Sequence, residues 1–295
     1  MNFKIIGIGE ALWDLLPSGP QLGGAPANFA CHAHSLGAEA GVITRVGDDA
    51  LGHEVLSRFV QMGLSVAAVQ KDNLAPTGTV IVELLEDKTA RYTFPDNVAW
   101  DRLEATASAL DAVRTADAVC FGTLAQRGET SRNSVQKLLA STPPNALRIF
   151  DINLRQHYFS KEIIESSLKL ANILKLNDAE FPIIAQMFDL TGSIRDQVKK
   201  VAEQFELQMV ALTRGAEGSL LYQSGQWSDR PSAPVDVVDT VGAGDAFTAT
   251  LALGLLHRMQ LDSINLLAGD VAQFVCSHAG ATPPLPKSFQ DRLKH

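Results

Sequence analysis

The stretch VDVVDTVGAGDAFTATLALGLLH, residues 235–257, reads as three pieces in a row. "VDVVDT" is β-type, and "AFTATLALGLLH" reads as a helix, so "VGAGD" is the entry to that helix. The first N–H groups of a helix have no internal partner and sit at the positive end of its macrodipole. Gly242 and Gly244 leave no side chain in front of those amides, so an anion such as a phosphate can approach closely. Asp245 admits two readings. Its carboxylate can simply stabilise the helix start. It can also be a base beside an anion hole, which is what phosphoryl transfer requires. Capping does not call for two glycines in this arrangement, but the stretch alone leaves both readings open.

Outward from this stretch, short β-type runs alternate with helical patterns. Strands are expected at "FKIIGIG" (3–9), "AGVITRVG" (40–47), "DAVCFGT" (117–123), "LRIFDIN" (147–153), "ILKLN" (173–177) and "QMVALT" (208–213). Helices are expected at "NFACHAHSLG" (28–37), "LGHEVLSRFVQMG" (51–63), "ETSRNSVQKLLAS" (129–141), "SKEIIESSLKLA" (160–171), "DAEFPIIAQMF" (178–188) and "IRDQVKKVAEQF" (194–205). Runs such as "AVCFG", "RIFDI" and "MVALT" are apolar on both faces, the mark of central parallel strands covered by helices. The expectation is an α/β fold: one domain over residues 1–295, with a mostly parallel central sheet flanked by helices. Two segments break the alternation, residues 10–24 and 77–97. Both look like hairpins without a helix of their own, the second turning near "EDK". They are expected to form a small β-sheet lid, with Val80, Val82 and Leu84 on one face and Ile81 and Leu85 on the other.

Composition narrows the function classes. A formal charge of -8 argues against a nucleic-acid protein, which usually shows a basic face. Cys31, Cys120 and Cys276 have neither metal-ligand nor redox spacing and are expected as buried thiols. The N-terminus does not read as a signal peptide, and no apolar run approaches the roughly 20 residues of a spanning helix. A cytoplasmic protein with no membrane partner is expected. G-x-G-x-x-G lacks its third glycine after the first strand, which counts against a dehydrogenase. The P-loop pattern and G-x-S-x-G do not occur. His32 and His34 are two apart, off a shared helix face, and are read as ordinary side chains.

A second glycine cluster, "QLGGAPANFACHA", places Gly23 and Gly24 before a helix with Asn28 in its first turn. Glycines there let backbone approach a ligand, and Asn28 can donate and accept. Asp14, between Trp13 and Leu15 in the lid, suits sugar hydroxyls, although alone it would pass for an exposed charge at a strand end.

These residues together resemble the PfkB, or ribokinase-like, family of carbohydrate kinases. "DTVGAGDAF" is similar to its C-terminal signature and "GGAPANFA" to its N-terminal one. "GEALWD", "DINLR", "KLNDAE" and "TRGAEGS" are similar to its internal patterns, in family order from Gly9 to about Gly280. The resemblance implies a ribokinase-like fold and transfer of the γ-phosphoryl group of ATP to a sugar hydroxyl. By the same resemblance Asp245 is the base, and the amides of Gly242, Ala243, Gly244 and Asp245 form the anion hole. Asp14, Gly24 and Asn28 hold the sugar, and Arg155 reaches the phosphate or substrate region, with Arg91 a further lid candidate. Asn177 and Glu180 sit near the phosphates, Glu180 organising Mg²⁺ through water. Thr213, Gly215 and Gly218 line the nucleotide site. Asp239, with carbonyls of "FVCSHAGA", resembles a monovalent-cation site that would take K⁺. The adenine contacts stay unassigned. Ala25 and Pro26 stand where relatives acting on ribose or sugar phosphates usually carry lysine. "GGAPAN" with "DINLR" resembles fructokinases first and 2-keto-3-deoxygluconate kinases next. A homodimer through the lid is also implied. A binding module that has lost catalysis is the reading from a different class.

Overall fold

The computed structural model describes residues 2–16, 19–84 and 90–294. The main sheet draws on β1 (Lys4–Ile8), β4 (Glu39–Ile43), β9 (Ala118–Phe121), β10 (Leu147–Asp151), β11 (Ile173–Asn177), β12 (Met209–Thr213), β13 (Ser219–Gln223) and β14 (Gln226–Arg230). Their order is β14-β13-β12-β11-β10-β9-β1-β4. The six strands from β4 across to β12 pair in parallel, and β12, β13 and β14 pair antiparallel. The helices are α1 (Ala25–Ser35), α2 (Ala50–Gln61), α3 (Ala107–Arg114), α4 (Glu129–Ala140), α5 (Lys161–Leu170), α6 (Phe181–Met187), α7 (Ile194–Gln204), α8 (Ala243–Leu256), α9 (Leu261–Cys276) and α10 (Lys287–Arg292).

The expected α/β architecture is present, and strand alternation explains it. Met209 and Ala211 pack on the side of α1, α8 and α9, while Val210 and Leu212 face α4 to α7. Both faces are therefore apolar because both are covered. Helix α8 is buried from Ala246 to Gly254, so it is apolar nearly all round. The chain reverses its direction across the sheet between β1 and β9. Their carboxyl ends form the crevice where open α/β sheets bind ligands.

The lid is a second sheet, ordered β3-β2-β7-β8. Strands β2 (Leu12–Leu16) and β3 (Gly19–Gly23) form one antiparallel hairpin, and β7 (Gly78–Leu84) and β8 (Ala90–Thr93) the other. The two hairpins join through parallel β2 and β7. Val80 is buried over Leu12, Phe94 and Trp100, whereas Ile81 is 40% exposed, as period-2 alternation requires. Leu85 and the "EDK" turn lie outside the described residues, as do the side chains of Val82, Leu84 and Arg91.

Three expectations are corrected. "AGVITRVG" is two strands with buried Thr44 between them; β5 (Arg45–Gly47) leaves the main sheet to pair with β6 (Gln70–Asp72). "VDVVDT" is not a strand. Its β-branched residues have no neighbouring strand, Val237 and Val238 are exposed, and the amides of Val238 and Asp239 donate to the Cys276 carbonyl. Cys276 is only partly buried, whereas Cys31 and Cys120 are fully so. In addition, the β13–β14 hairpin was not among the expected strands.

Candidate active site

The entry to α8 is shaped by one glycine conformation. Gly242 has φ 81°, in the left-handed region, and a Cβ there would collide with the Ala281 carbonyl oxygen. Only glycine fits. The same carbonyl accepts from His32 Nε2 at 2.9 Å. Burial holds His32 neutral, its pKa pushed down to about 4, and with Nε2 given to this carbonyl it serves as a structural anchor. The turn of residues 242–245 thus rests on α1 and on the chain beyond α9.

Asp245 follows in the first turn of α8, half-buried. Its Oδ2 accepts from Asn28 Nδ2 at 2.9 Å, so the two glycine-flanked helices meet at two residues the sequence singled out separately. Burial pushes the Asp245 carboxyl up to about 7, and the nearby charge of Asp151 adds to this. Both effects outweigh the Asn28 hydrogen bond and the charges of Lys175 and Arg155, which favour the ionised form. A carboxyl poised near neutrality can hold or accept a proton at physiological pH.

Asp14 lies on β2, where Gly23 leaves room for its carboxylate. Burial raises it to about 6, against the pull of Arg155. Gly24 has φ 111° and is closed against the Glu10 carbonyl, so it shapes the chain before α1. Arg155 is exposed beyond β10, and its charge acts on Glu10, Asp14 and Asp245.

Asn177 and Glu180 form a reciprocal clamp. Glu180 accepts from the amides of Leu154 at 2.9 Å and Asn177 at 2.8 Å, while Asn177 Oδ1 accepts from the amides of Ala179 and Glu180. Burial raises Glu180, and Lys175 opposes that. Glu180 therefore ties the ends of β10 and β11 together, and each of its oxygens keeps a lone pair for a further donor or a hydrated cation. Thr213 ends β12 beside Leu176. Gly218 is closed against the Arg230 carbonyl and serves the β12–β13 corner, whereas Gly215 faces open space. Asp239 spends its oxygens on the amides of Val241 at 3.0 Å and Gly280 at 3.1 Å, so it stitches this loop to the chain after α9. Among the described residues no three His, Cys, Asp or Glu side chains group as a protein-only metal site, nor is any helix long and apolar enough to cross a membrane.

Two features went unremarked in the sequence. Glu10 is buried beside this site, burial raises it to about 7, and its Oε2 has no hydrogen-bond partner. Lys175 and Asp151 form a buried ion pair under α8 at 3.1 Å. The signal for both was a charge inside an apolar strand or at its end.

A parallel sheet between two helix layers, with a crevice at its switch point and a glycine turn that opens α8 beside it, is an arrangement suited to holding a phosphate-bearing ligand. The pfkB family carbohydrate kinase model matches residues 20–288, and the chain belongs to that family. It is 32% identical to the fructokinase of Escherichia coli over 271 residues, 86% of this chain and 85% of that protein. The structure of an uncharacterized sugar kinase from Pyrococcus horikoshii in complex with ATP is similar, at TM-score 0.80 and 27% identity, covering 98% of this chain and 99% of that one. The fold is also that of a fructokinase with bound ATP from Xylella fastidiosa, at TM-score 0.87 and 19% identity, covering 99% and 98%.

Proposed function

We propose that this sugar kinase transfers the γ-phosphoryl group of ATP to a hydroxyl of fructose, with Asp245 taking the hydroxyl proton. The observation that carries the reading is the Asp245 carboxyl, raised to about 7 in the first turn of α8 and bonded to Asn28. The sugar lies between Asp14, Gly24 and Asn28, under the lid. The attacking oxygen gives its proton to Asp245 as the bond to phosphorus forms, and ADP leaves with the electron pair of the broken bond. The amides of Gly242, Ala243, Gly244 and Asp245 stabilise charge on the moving phosphoryl group.

ATP lies along the ends of β11 and β12, with Asn177 near its phosphates and Thr213, Gly215 and Gly218 beside the nucleotide. Mg²⁺ suits this donor set, since it keeps waters and phosphate oxygens and needs few protein ligands. Glu180 would hold it through water and Arg155 would meet the phosphates or the sugar. Asp239 is the candidate for K⁺, together with carbonyls of the chain after α9. Fructose is favoured by Ala25 and Pro26 after the paired glycines and by the likeness to a fructokinase. The enzyme is placed in the cytoplasm, where ATP is supplied, and as a homodimer through the lid.

Asp245→Asn tests the chemistry. Loss of a general base lowers turnover about 10²–10⁴-fold with sugar binding largely kept; turnover within a few-fold of wild type sinks the assignment. A panel of fructose, ribose, adenosine, fructose phosphates and 2-keto-3-deoxygluconate tests the substrate. A sugar acid as the best acceptor overturns fructose.

A further inference from the structure

Two charged side chains stand inside the sheet where apolar ones are the rule. Asp151 ends β10, Lys175 lies in β11, and the parallel register sets them side by side. Ile149 and Ile173 face α1, α8 and α9, while Phe150 and Leu174 face the other layer. Alternation therefore sends both charges toward α8. There the Lys175 ammonium lies 3.1 Å from each Asp151 oxygen, and the two side chains are 7% and 6% exposed. Asp151 Oδ2 also accepts from Thr248 Oγ1 at 3.0 Å. Thr248 stands one turn beyond Gly244, whose carbonyl oxygen is 2.8 Å from the same hydroxyl. Lys175 Nζ is 2.9 Å from where a Gly244 Cβ would be.

Stability is a poor account of this arrangement. A buried ion pair is commonly no better than apolar residues of the same volume. A cation against the first turn of a helix also opposes the macrodipole. Burial works against the Lys175 charge, yet Asp151, Glu180 and Asp245 outweigh it and push its pKa up. A permanent cation is thus held where it disfavours the helix and favours any negative charge brought to its turn.

We propose that the Asp151–Lys175 pair positions the first turn of α8 for phosphoryl transfer, Lys175 as a fixed positive charge beneath the turn and Asp151 as its anchor, through Thr248, to the helix. This rests on the reading of Asp245 as the base. The two partners act on Asp245 with opposite signs. Burial is the largest influence there; after it, Asp151 raises the carboxyl and Lys175 lowers it. The other groups facing Asp245 are Asn28 from α1, Glu10 after β1, Arg155 after β10, and the thiols of Cys31 and Cys120.

The test is the pH profile of kcat/KM, which reports groups of the free enzyme, for wild type, Lys175→Met, Asp151→Asn and Asp245→Asn. Positioning predicts that the acid limb of Lys175→Met moves to higher pH and that of Asp151→Asn to lower pH, each by roughly one unit. KM for the sugar stays within a few-fold, and calorimetry shows ATP affinity falling by about an order of magnitude in Lys175→Met. A pair that only holds the fold together lowers activity in both variants with the limbs unmoved or moved the same way, and that result overturns the inference. If Lys175→Met does not fold, Asp151→Asn decides alone, because the amide keeps the size and one accepting oxygen. Asp245→Asn separates the two failures: if it keeps turnover, the base assignment is wrong whatever the pair does. If it loses turnover while the limbs of the pair variants stay put, only the positioning role is wrong.

Discussion

Asp245→Asn should make the protein more stable at pH 8. The carboxyl ordinarily titrates at 3.8 and stands at about 7 here, through burial first and Asp151 second. The native state therefore keeps a proton that the unfolded chain has already released. Stability from this group is complete below the unfolded pKa near 4, fades as pH climbs, and is gone above about 7. Roughly three units, at about 1.4 kcal/mol each, set a ceiling of about 4 kcal/mol. The side chain keeps part of its surface in water, and Glu10 titrates alongside it. A neutral amide, still able to accept from Asn28, should then gain about 1–2 kcal/mol at pH 8. For 295 residues, an unfolding entropy of about 2 cal/mol/K per residue turns that into about 2–3 °C in Tm. Scanning calorimetry at pH 8, 5 and 4 is the assay. The gain should shrink to about a third at pH 5 and vanish near pH 4. A variant no more stable than wild type at pH 8 refutes the claim that this carboxyl is held in a costly environment.

Three further outcomes are expected. Gly242→Ala forces a left-handed φ on alanine and drives its Cβ into the Ala281 carbonyl; it should cost about 1–3 kcal/mol and weaken ATP binding, and an unchanged Tm contradicts the turn. Asn28→Ala removes a hydrogen bond that lowers Asp245, so the acid limb of kcat/KM should move up by about one unit, which a pH titration of rates will show or deny. With Ile81 exposed on the lid, light scattering should give twice the monomer mass in wild type and a smaller mass in Ile81→Lys; a monomer at all concentrations removes the dimer.

The main sheet was legible because its strands are apolar on both faces, and only a doubly covered sheet makes that pattern stable. The lid was legible because its strands alternate and lack helices. Val80 and Ile81 fall on opposite faces as their spacing requires. The two glycine turns were legible because each needs a backbone that few residues supply, whereas the Asn28–Asp245 bond spans 217 positions and appears only in the fold. Other parts needed three dimensions. "VDVVDT" has the propensity of a strand but no partner to pair with. The β13–β14 hairpin turns at Ser224 and Gly225, but "SLLYQ" is buried on both faces rather than alternating, and so short an apolar run does not mark a strand by its period. Lys175 and Asp151 are 24 positions apart, and only the register of β10 and β11 makes them one group. The N-x-x-E pattern points Glu180 at a cation, and its bonds to Leu154 and Asn177 arise only where the strand ends converge.

The bonds that join α1 to the far end of the chain set an order of events during synthesis. Asn28 reaches Asp245 across 217 positions, and His32 reaches Ala281 across 249. A ribosome exposes Asp14, Gly24 and Asn28 first, and the carboxyl and the carbonyl that supports its turn only after some two hundred further residues. Until then the growing polypeptide holds the residues proposed for the sugar without the one proposed as base. Assembly of the corner proposed here to carry the chemistry is thereby tied to both ends of the fold being in place.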